Sequence, residues 1–181
     1  PHPGWVEMDV EDYLQAAITS IRHCSDEMIR QGKNPKDIQC IFGDGVIEGI
    51  AGVDENCKAI TPYINYLDSR TKEDAESLAS RKLEIWAKET GNPEPKCMFP
   101  AMFARWILKN CKDFNERGCK FLHNAPYILA NLAGLKAKDG FVDWGTLSGW
   151  GLGYDVTKKV WSKEQLEILE IHEDYLPKIV K

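Results

Sequence analysis

A carboxylate and a guanidinium stand two residues apart in Tyr66-Leu67-Asp68-Ser69-Arg70, a spacing that can serve a polar ligand. Residues 59–66 are rich in β-branched and aromatic side chains, which indicates a strand, and Thr71 can cap a helix that follows. Side chains at the carboxyl end of a strand in an α/β sheet point into the crevice where ligands usually bind. The polar pair Asp68 and Arg70 is therefore a candidate ligand-binding site, and a charged acceptor such as Asp68 would form strong hydrogen bonds with a polar ligand.

Two local roles compete with ligand binding at this junction. Asp68 can pair with Arg70 or cap the following helix, because an aspartate at a strand-to-helix junction often does so. Arg70 can equally form an ion pair at the surface. The residue pattern alone leaves these roles open.

The composition bounds the class of protein. The chain has 181 residues, 43% of them hydrophobic, which suits one globular domain with a sizeable core. The net charge of -5, with acidic and basic residues interspersed, offers no attraction for nucleic acid or for an anionic membrane surface. No apolar run approaches the ~20 residues that span a bilayer, and the amino terminus lacks a signal-peptide pattern, so we expect a cytoplasmic protein without membrane attachment.

The cysteines and histidines favour neither a disulfide framework nor a metal site. The six cysteines form no Cys-x-x-Cys pair and have no histidine at a zinc-ligand spacing, so we expect reduced, mostly buried thiols and no bound metal. The four histidines have no acidic or cysteine partner at a catalytic spacing, and we interpret them as structural or solvated.

Three strands with flanking helices are predicted to position the polar stretch. Asp9 or Asp12 can cap a helix with one buried face that ends at Gly32. Two apolar runs, residues 38–42 and 46–53, then read as strands before the one that carries the polar stretch. This order of elements favours a mixed sheet with helices on its faces.

Helical periodicity continues through the rest of the chain. The helix after Thr71 places four apolar residues roughly on one face: Ala75, Leu78, Ala79 and Trp86. Further predicted elements are a short helix with Phe103 and Trp106, a strand and then a helix within 120–132, and a helix at 163–169 capped by Ser162. The glycine-rich segment 143–155 can lie close to a ligand or to a neighbouring backbone, with Asp143 holding it through backbone N–H groups.

Several motifs in a fixed order give the chain a recognisable family pattern. They are Pro3-Gly4-Trp5-Val6-Glu7, Tyr66-Leu67-Asp68-Ser69-Arg70, Thr90-Gly91-Asn92-Pro93, Met98-Phe99-Pro100 with Trp106-Ile107 and Asn110, and residues 143–155 followed by Trp161-Ser162. In this order the motifs resemble the FGGY-type carbohydrate kinases, of the xylulokinase and gluconate-kinase kind. Each motif alone is weak, and the likeness covers nearly the whole chain.

The resemblance implies a fold and a division into lobes. Residues 1–181 would form the amino-terminal, substrate-binding lobe of a ribonuclease-H-like, actin-like ATPase architecture, an α/β fold with a mixed sheet flanked by helices. Members of the family carry a phosphate-binding hairpin that should precede Pro1 and a catalytic aspartate in a Gly-x-x-Asp segment that should follow Lys181. The second, nucleotide-binding lobe would also lie outside this chain. The chain is therefore expected to be incomplete at both ends, to contain no catalytic residue and to be inactive alone.

The resemblance also implies the chemistry of the parent protein. It would transfer the γ-phosphate of ATP, with Mg²⁺, to a hydroxyl of a ketopentose, a sugar acid or a polyol, and this chain would bind only the sugar. The implied substrate-binding residues are Asp68, Arg70, Glu48, Tyr66 and Met98. Glu48 can instead be a solvent-facing strand residue, and Tyr66 and Met98 can instead pack in the core. The implied partners are the sugar and the missing second lobe, and a homodimer is compatible with the sequence.

Three positions depart from the family pattern. Phe103 stands where the family usually has a lysine, Val46 where it often has a glutamine, and Ala125-Pro126 where a polar residue is common. Phe103 and Val46 motivate an alternative function, a non-catalytic carbohydrate-sensing or interaction module on the same fold.

Overall fold

A computed structural model describes residues 2–181 of the chain. The strands are β1 (Glu7–Met8), β2 (Gly49–Val53), β3 (Tyr63–Asn65), β4 (Lys120–Leu122), β5 (Phe141–Asp143), β6 (Tyr154–Asp155), β7 (Val160–Trp161) and β8 (Lys178–Val180). The helices are α1 (Val10–Arg30), α2 (Lys72–Ala79), α3 (Ile85–Thr90), α4 (Pro100–Asn110), α5 (Lys112–Arg117), α6 (Asn124–Leu132), α7 (Trp144–Leu147) and α8 (Lys163–Leu169). Short 3₁₀ turns lie at Pro35–Asp37, Ala137–Asp139, Ser148–Trp150 and Glu173–Tyr175.

The main sheet is antiparallel and has the strand order β1-β3-β2-β4. Gly49 of β2 pairs with Asn65 of β3, and Ala51 of β2 pairs with Leu122 of β4. Two small ribbons accompany this sheet, a parallel one from β5 and β8 and an antiparallel one from β6 and β7. The domain is therefore a mixed α/β fold with β2 and β3 in the middle of its main sheet.

Apolar side chains cover both faces of the main sheet. Ile50 and Ile64 belong to the larger core cluster, which also includes α4 and α8, whereas Ala51 and Tyr63 belong to a smaller cluster with α1 and α6. Neighbouring residues of a strand point to opposite faces, which explains why adjacent positions fall into different clusters. The short central strands are thus held from both sides.

Helix α1 forms as predicted, but it is buried only at its beginning. Asp9 caps it by accepting a hydrogen bond from the Glu11 N–H at 2.9 Å, and Val10 and Leu14 are buried. Ile29, near its end, is 60% exposed, so the predicted buried face does not extend along the whole helix. None of the helices in residues 2–181 combines the length and the apolar character needed to cross a membrane.

The predicted strand at residues 38–42 is wrong, because this stretch is irregular. The strand predicted at 46–53 begins only at Gly49, and the one predicted at 59–66 is confined to Tyr63–Asn65. Within residues 2–181, the backbone groups of 39–47 make no backbone hydrogen bonds. A strand needs a neighbour to satisfy these groups, so the apolar pattern alone does not produce one here.

The helix predicted after Thr71 is two helices. The helix is interrupted between α2 and α3, where Lys82 has a left-handed φ of 49°. Trp86 therefore lies on a different helix from Leu78. Thr71 occupies the N-cap position, but its hydroxyl donates to the Cys97 carbonyl at 2.7 Å instead of capping the helix. The remaining helices predicted from residue 100 onward form, and Ser162 caps α8 as expected.

The six cysteines are all thiols, but the expectation that they are mostly buried is wrong. Only Cys57 is fully buried, whereas Cys24 and Cys40 are exposed. Both exposed thiols lie in parts of the chain that pack poorly, the outer half of α1 and the irregular stretch before β2.

Candidate functional site

The pairing of β2 with β3 brings two of the predicted site residues to one end of the sheet. Gly49, the first residue of β2, lies opposite Asn65, the last residue of β3, so Glu48 and Tyr66 flank the same end. Tyr66 is 38% exposed, which excludes the core-packing alternative for its ring. Glu48 is half-buried, and this burial raises the pKa of its carboxyl above the ordinary value. We call Glu48 and Tyr66 the open rim.

A glycine is required immediately beside Glu48. A Cβ atom on Gly49 would lie 2.5 Å from the Tyr63 hydroxyl oxygen and 2.7 Å from the Ile64 carbonyl oxygen. Both distances are shorter than any real Cβ contact, so the backbone can approach β3 here only without a side chain. Close backbone packing therefore sets the point from which the Glu48 side chain departs.

Asp68 differs from Glu48 because hydrogen bonds within the chain surround its carboxylate. The residue is 1% exposed. One carboxylate oxygen, Oδ2, accepts from the Val6 N–H at 2.6 Å and from the Arg70 guanidinium at 2.8 Å. The other, Oδ1, accepts from the Arg70 N–H at 2.8 Å and from Arg70 Nε at 2.9 Å. Burial alone raises the pKa of this carboxyl, but the hydrogen bonds outweigh it and hold the pKa below its usual range.

Arg70 is buried by aromatic rings and by a second carboxylate. Its guanidinium carbon lies 3.9 Å from the centre of the Trp5 ring and 4.8 Å from that of Trp106, and its Nη2 lies 2.7 Å from Oε1 of Glu7. Its side chain is 2% exposed. We call Asp68, Arg70, Trp5, Glu7 and Trp106 the arginine latch, because they fasten the amino-terminal segment to the end of β3 and to α4.

The latch answers one of the questions that the sequence left open. Asp68 does pair with Arg70, and Arg70 does not form a surface ion pair, because its partners enclose it. The four hydrogen bonds that the Asp68 carboxylate accepts in the structure all come from Val6 and Arg70. The expected contact of Asp68 and Arg70 with a sugar stays a prediction.

Met98 and the glycine-rich segment pack against neighbouring parts of the chain. Met98 is half-buried and packs against the larger core cluster next to Phe99, whose ring lies directly against Gly151. A Cβ on Gly149 would lie 2.6 Å from the Ile47 carbonyl oxygen, so the segment runs along the backbone that leads to Glu48. The glycine-rich segment thus packs against a neighbouring backbone, one of the two predicted possibilities.

Asp143 holds the glycine-rich segment as predicted. Its Oδ1 accepts hydrogen bonds from the Gly145 N–H at 2.8 Å and from the Thr146 N–H at 3.0 Å, which caps α7. Burial opposes ionisation of Asp143, but these hydrogen bonds and one from the Thr146 hydroxyl keep the pKa of the carboxyl below its ordinary value.

The sequence pattern does not reveal the contact that His123 makes beside the rim. His123 directly follows β4 and is fully buried, and its Nδ1 lies 2.8 Å from the Gly49 carbonyl oxygen. Burial lowers the pKa of the imidazole to about 4, so the ring is neutral near pH 7. The partners are 74 residues apart in the chain, and the only local signal is that His123, like Asp68, lies between a strand and a helix.

Comparison with known proteins identifies the class of protein that this fold and site define. The family described as "FGGY family of carbohydrate kinases, N-terminal domain" matches residues 1–181, so the chain belongs to that family as its N-terminal domain. It is 26% identical over 182 residues to the gluconokinase of Bacillus subtilis, covering 99% of this chain and 33% of that protein. It is 25% identical over 180 residues to the xylulose kinase of Escherichia coli, covering 98% of this chain and 34% of that protein.

Solved structures show the same fold. A ligand-bound xylulose kinase from Lactobacillus acidophilus superposes with a TM-score of 0.78 at 20% identity, over 99% of this chain and 34% of that one. Plasmodium falciparum glycerol kinase with ADP gives a TM-score of 0.86 at 18% identity, over 99% of this chain and 36% of that one. The predicted actin-like ATPase architecture of sugar kinases is therefore confirmed, and the chain spans about a third of the length of the relatives it matches.

Proposed function

We propose that the polypeptide carrying this chain transfers the γ-phosphate of ATP to a hydroxyl of a ketopentose, a sugar acid or a polyol, and that residues 1–181 bind this acceptor. The observation that carries the proposal is the open rim, a carboxylate and an exposed aromatic ring at one end of the main sheet. Family membership over the whole chain supports it. Relatives named gluconokinase, xylulose kinase and glycerol kinase give the range of acceptors.

The rim has the chemistry that a polyhydroxylated ligand needs. The Glu48 carboxylate can accept hydrogen bonds from two neighbouring hydroxyls, and such bonds are strong because the acceptor is ionised. The exposed Tyr66 ring offers an apolar face to the C–H groups of the ligand. We assign Met98 to the apolar side of the same site. Together these groups would hold one hydroxyl in place for phosphoryl transfer, which depends mainly on positioning.

We assign Asp68 and Arg70 to the wall behind the rim. Their mutual contacts and the Trp5 ring keep the turn after β3 in one place, and Tyr66 belongs to that turn. A direct bond from Asp68 to a sugar hydroxyl would have to replace one of its four hydrogen bonds. We therefore propose that this pair positions the wall, while Glu48 and Tyr66 make the contacts.

The remainder of the kinase would supply the phosphate-binding hairpin, the catalytic aspartate and the nucleotide-binding lobe. ATP, bound with Mg²⁺, supplies the phosphoryl group in this proposal. Among residues 2–181, no three histidine, cysteine, aspartate or glutamate side chains cluster in a way that could hold a metal ion. We also place the polypeptide in the cytosol, in keeping with its free thiols.

The apolar stretch before β2 supports this division of the polypeptide. Phe42 is 92% exposed and Ile41 is 54% exposed, and the backbone groups of 39–47 have no backbone partners within residues 2–181. Exposed apolar side chains beside backbone groups without partners are typical of a surface that another segment covers. We propose that parts of the polypeptide outside this chain pack there.

A binding and turnover experiment tests the proposed function. The longest native polypeptide containing this chain is mixed with D-xylulose, D-gluconate and glycerol, which we call the acceptor panel, and thermal stabilisation and ATP-dependent phosphorylation are measured. We expect one member to stabilise the protein and to be phosphorylated, whereas residues 1–181 alone give no turnover. Absence of both effects across the panel contradicts the proposal, and robust turnover by residues 1–181 contradicts the assignment of catalytic groups to other segments.

The same experiment separates the kinase from a carbohydrate-sensing module. Phe103 stands where the family usually has a lysine, and in the structure it is completely buried in the larger core cluster. A sensing module would bind a panel member and leave ATP unhydrolysed and the ligand unphosphorylated. That combination in the longer polypeptide would favour sensing over catalysis.

A further inference from the structure

A buried histidine holds the backbone from which the rim carboxylate departs. The Gly49 carbonyl oxygen can only accept a hydrogen bond, so Nδ1 of His123, 2.8 Å away, carries the hydrogen and donates it. The ring is fixed by β4 and α6 on either side in the chain and by an edge-on contact with Trp150, with ring centres 5.4 Å apart. The donor therefore sits on a rigid part of the domain.

The other nitrogen of the same ring has no partner. Among the described residues, Nε2 of His123 is buried without a hydrogen bond, and so is the hydroxyl of Tyr63, which lies against Gly49 from the β3 side. Buried polar atoms are nearly always paired, and leaving one unpaired is costly. An apolar residue at position 123 would avoid that cost, so packing alone does not account for this histidine.

The hydrogen bond from His123 to the Gly49 carbonyl restrains a flexible residue next to Glu48. A glycine backbone is unusually free to rotate, and Gly49 is the link between Glu48 and the start of β2. The bond from His123 fixes the peptide group that follows Gly49, and the pairing with Asn65 fixes it from β3. Without the first of these constraints, the residue before β2 would sample several orientations.

We propose that His123 is a positioning residue for Glu48: its bond to the Gly49 carbonyl fixes the orientation in which the Glu48 carboxylate meets the acceptor hydroxyls. The inference rests on the proposed function, because it needs Glu48 to contact the acceptor. It adds a residue to the site that makes no contact with the ligand itself. The neutral state of the imidazole agrees with this role, since the role requires one donor and no charge.

A double-mutant cycle in the longest native polypeptide tests the assignment. The dissociation constant of the panel member that binds is measured for wild type, His123→Leu, Glu48→Ala and the double variant. We expect His123→Leu to weaken binding about tenfold, the effect of losing roughly one hydrogen bond. In the Glu48→Ala background the same change should have no further effect, because a residue that acts through Glu48 has nothing left to orient.

Two further variants control for folding and for hydrogen bonding. His123→Asn keeps an N–H donor near the position of Nδ1 and should bind within about threefold of wild type, whereas His123→Gln, whose amide lies further out, should bind about tenfold more weakly. His23→Leu removes an exposed histidine on α1 and should leave binding unchanged. If His123→Leu does not fold, the comparison of the asparagine and glutamine variants decides the question.

Each outcome bears on one claim. Equal effects of His123→Leu with and without Glu48, or equal binding by the asparagine and glutamine variants, overturn the positioning role of His123. Weakening by Glu48→Ala with no effect of His123→Leu overturns it as well, while leaving the proposed function intact. Failure of the wild type to bind any panel member overturns the proposed function itself, and the positioning role with it.

Discussion

Asp68 of the arginine latch and Glu48 of the open rim are both carboxylates near strands of the same sheet, yet their surroundings are opposite. Asp68 in the latch accepts four hydrogen bonds, and its pKa lies below the ordinary value. Glu48 at the rim is affected mainly by loss of water, and its pKa lies above the ordinary value. A carboxylate that already accepts hydrogen bonds within the chain stabilises the fold. One that is partly desolvated and lacks such donors can instead bind a ligand that donates hydrogen bonds.

This difference is why the proposed function assigns the ligand contact to Glu48 and not to Asp68. The motif around Asp68 has the most recognisable spacing in the sequence, but the structure encloses its side chains with Val6, Trp5 and Trp106. Glu48 belongs to no comparable motif, but among the described residues no donor reaches its carboxylate. The proposed division therefore assigns stability to the latch and binding to the rim, and the following experiments test that division.

The largest expected effect is on stability, from Arg70→Ala. Removing this side chain leaves Asp68 as a buried, unpaired charge, and breaking a buried pair in this way costs about 3–5 kcal/mol of unfolding free energy. Urea denaturation measures the loss. The matched control is Arg30→Ala, because Arg30 pairs with Glu27 3.3 Å away at the exposed end of α1, where ion pairs contribute roughly 0–1 kcal/mol. Similar losses for the two variants would remove the structural role of the latch.

A smaller loss of stability is expected from Gly49→Ala at the rim. The added methyl group would collide with the Tyr63 hydroxyl and the Ile64 carbonyl, so β2 and β3 must separate slightly, at a cost of about 1–3 kcal/mol. Gly134→Ala is the control, because Gly134 has a φ of +66° but no atom within 4 Å of the added carbon. It should cost only about 1 kcal/mol, the conformational part. Denaturation curves that rank these two variants in reverse would contradict the close packing beside Glu48.

The opposite behaviour is expected from Glu48→Ala, which should change binding and leave stability nearly unchanged. Loss of a charge-assisted acceptor should weaken binding of the acceptor about tenfold or more, because such bonds contribute roughly 1.5–3 kcal/mol. The unfolding free energy should stay within about 0.5 kcal/mol, as for other substitutions outside the packed core. Calorimetric titration and urea denaturation measure the two quantities. A strong loss of stability with unchanged binding would exchange the roles of the rim and the latch.

The smallest effect is a difference in pH dependence. The folded-state pKa of Asp68 is depressed from 3.8, so its contribution to stability is present above that value and is lost as pH falls through the folded pKa. The folded-state pKa of Glu48 is raised from 4.5, so its contribution is present below that value and is lost as pH rises through the folded pKa. Urea denaturation of wild type, Asp68→Asn and Glu48→Gln is measured between about pH 3 and pH 7. Asp68→Asn should remove a contribution to stability that rises with pH, and Glu48→Gln should remove one that falls with pH. If both variants changed the pH dependence of stability in the same direction, the proposed difference between the environments of Asp68 and Glu48 would be wrong.

Features of the fold that depend on nearby residues were predictable from the sequence, whereas strands, which need a distant partner, were predicted less well. The start of α1 at Asp9, the cap at Ser162 and the strand followed by a helix within 120–132 all depend on residues close in sequence, and all form. The strand predicted at 38–42 does not form, because a strand also needs a partner that periodicity cannot supply. The break before α3 was missed because helical periodicity of apolar residues continues across it.

What the sequence by itself determined is the family and the types of side chain available to the site. The order of the motifs predicted an FGGY-type lobe, and the family match over residues 1–181 confirms it. Capping and periodicity are encoded within a few residues, so they survive without knowledge of the fold.

Only the tertiary structure decided which carboxylate is enclosed and which is open. The bond from Val6 to Asp68 joins residues 62 apart, and the contact of His123 with Gly49 joins residues 74 apart. Whether a carboxylate is free to bind depends on its burial and on how many donors already reach it. Those quantities are properties of the packed chain, because the donors come from distant segments that only folding brings together.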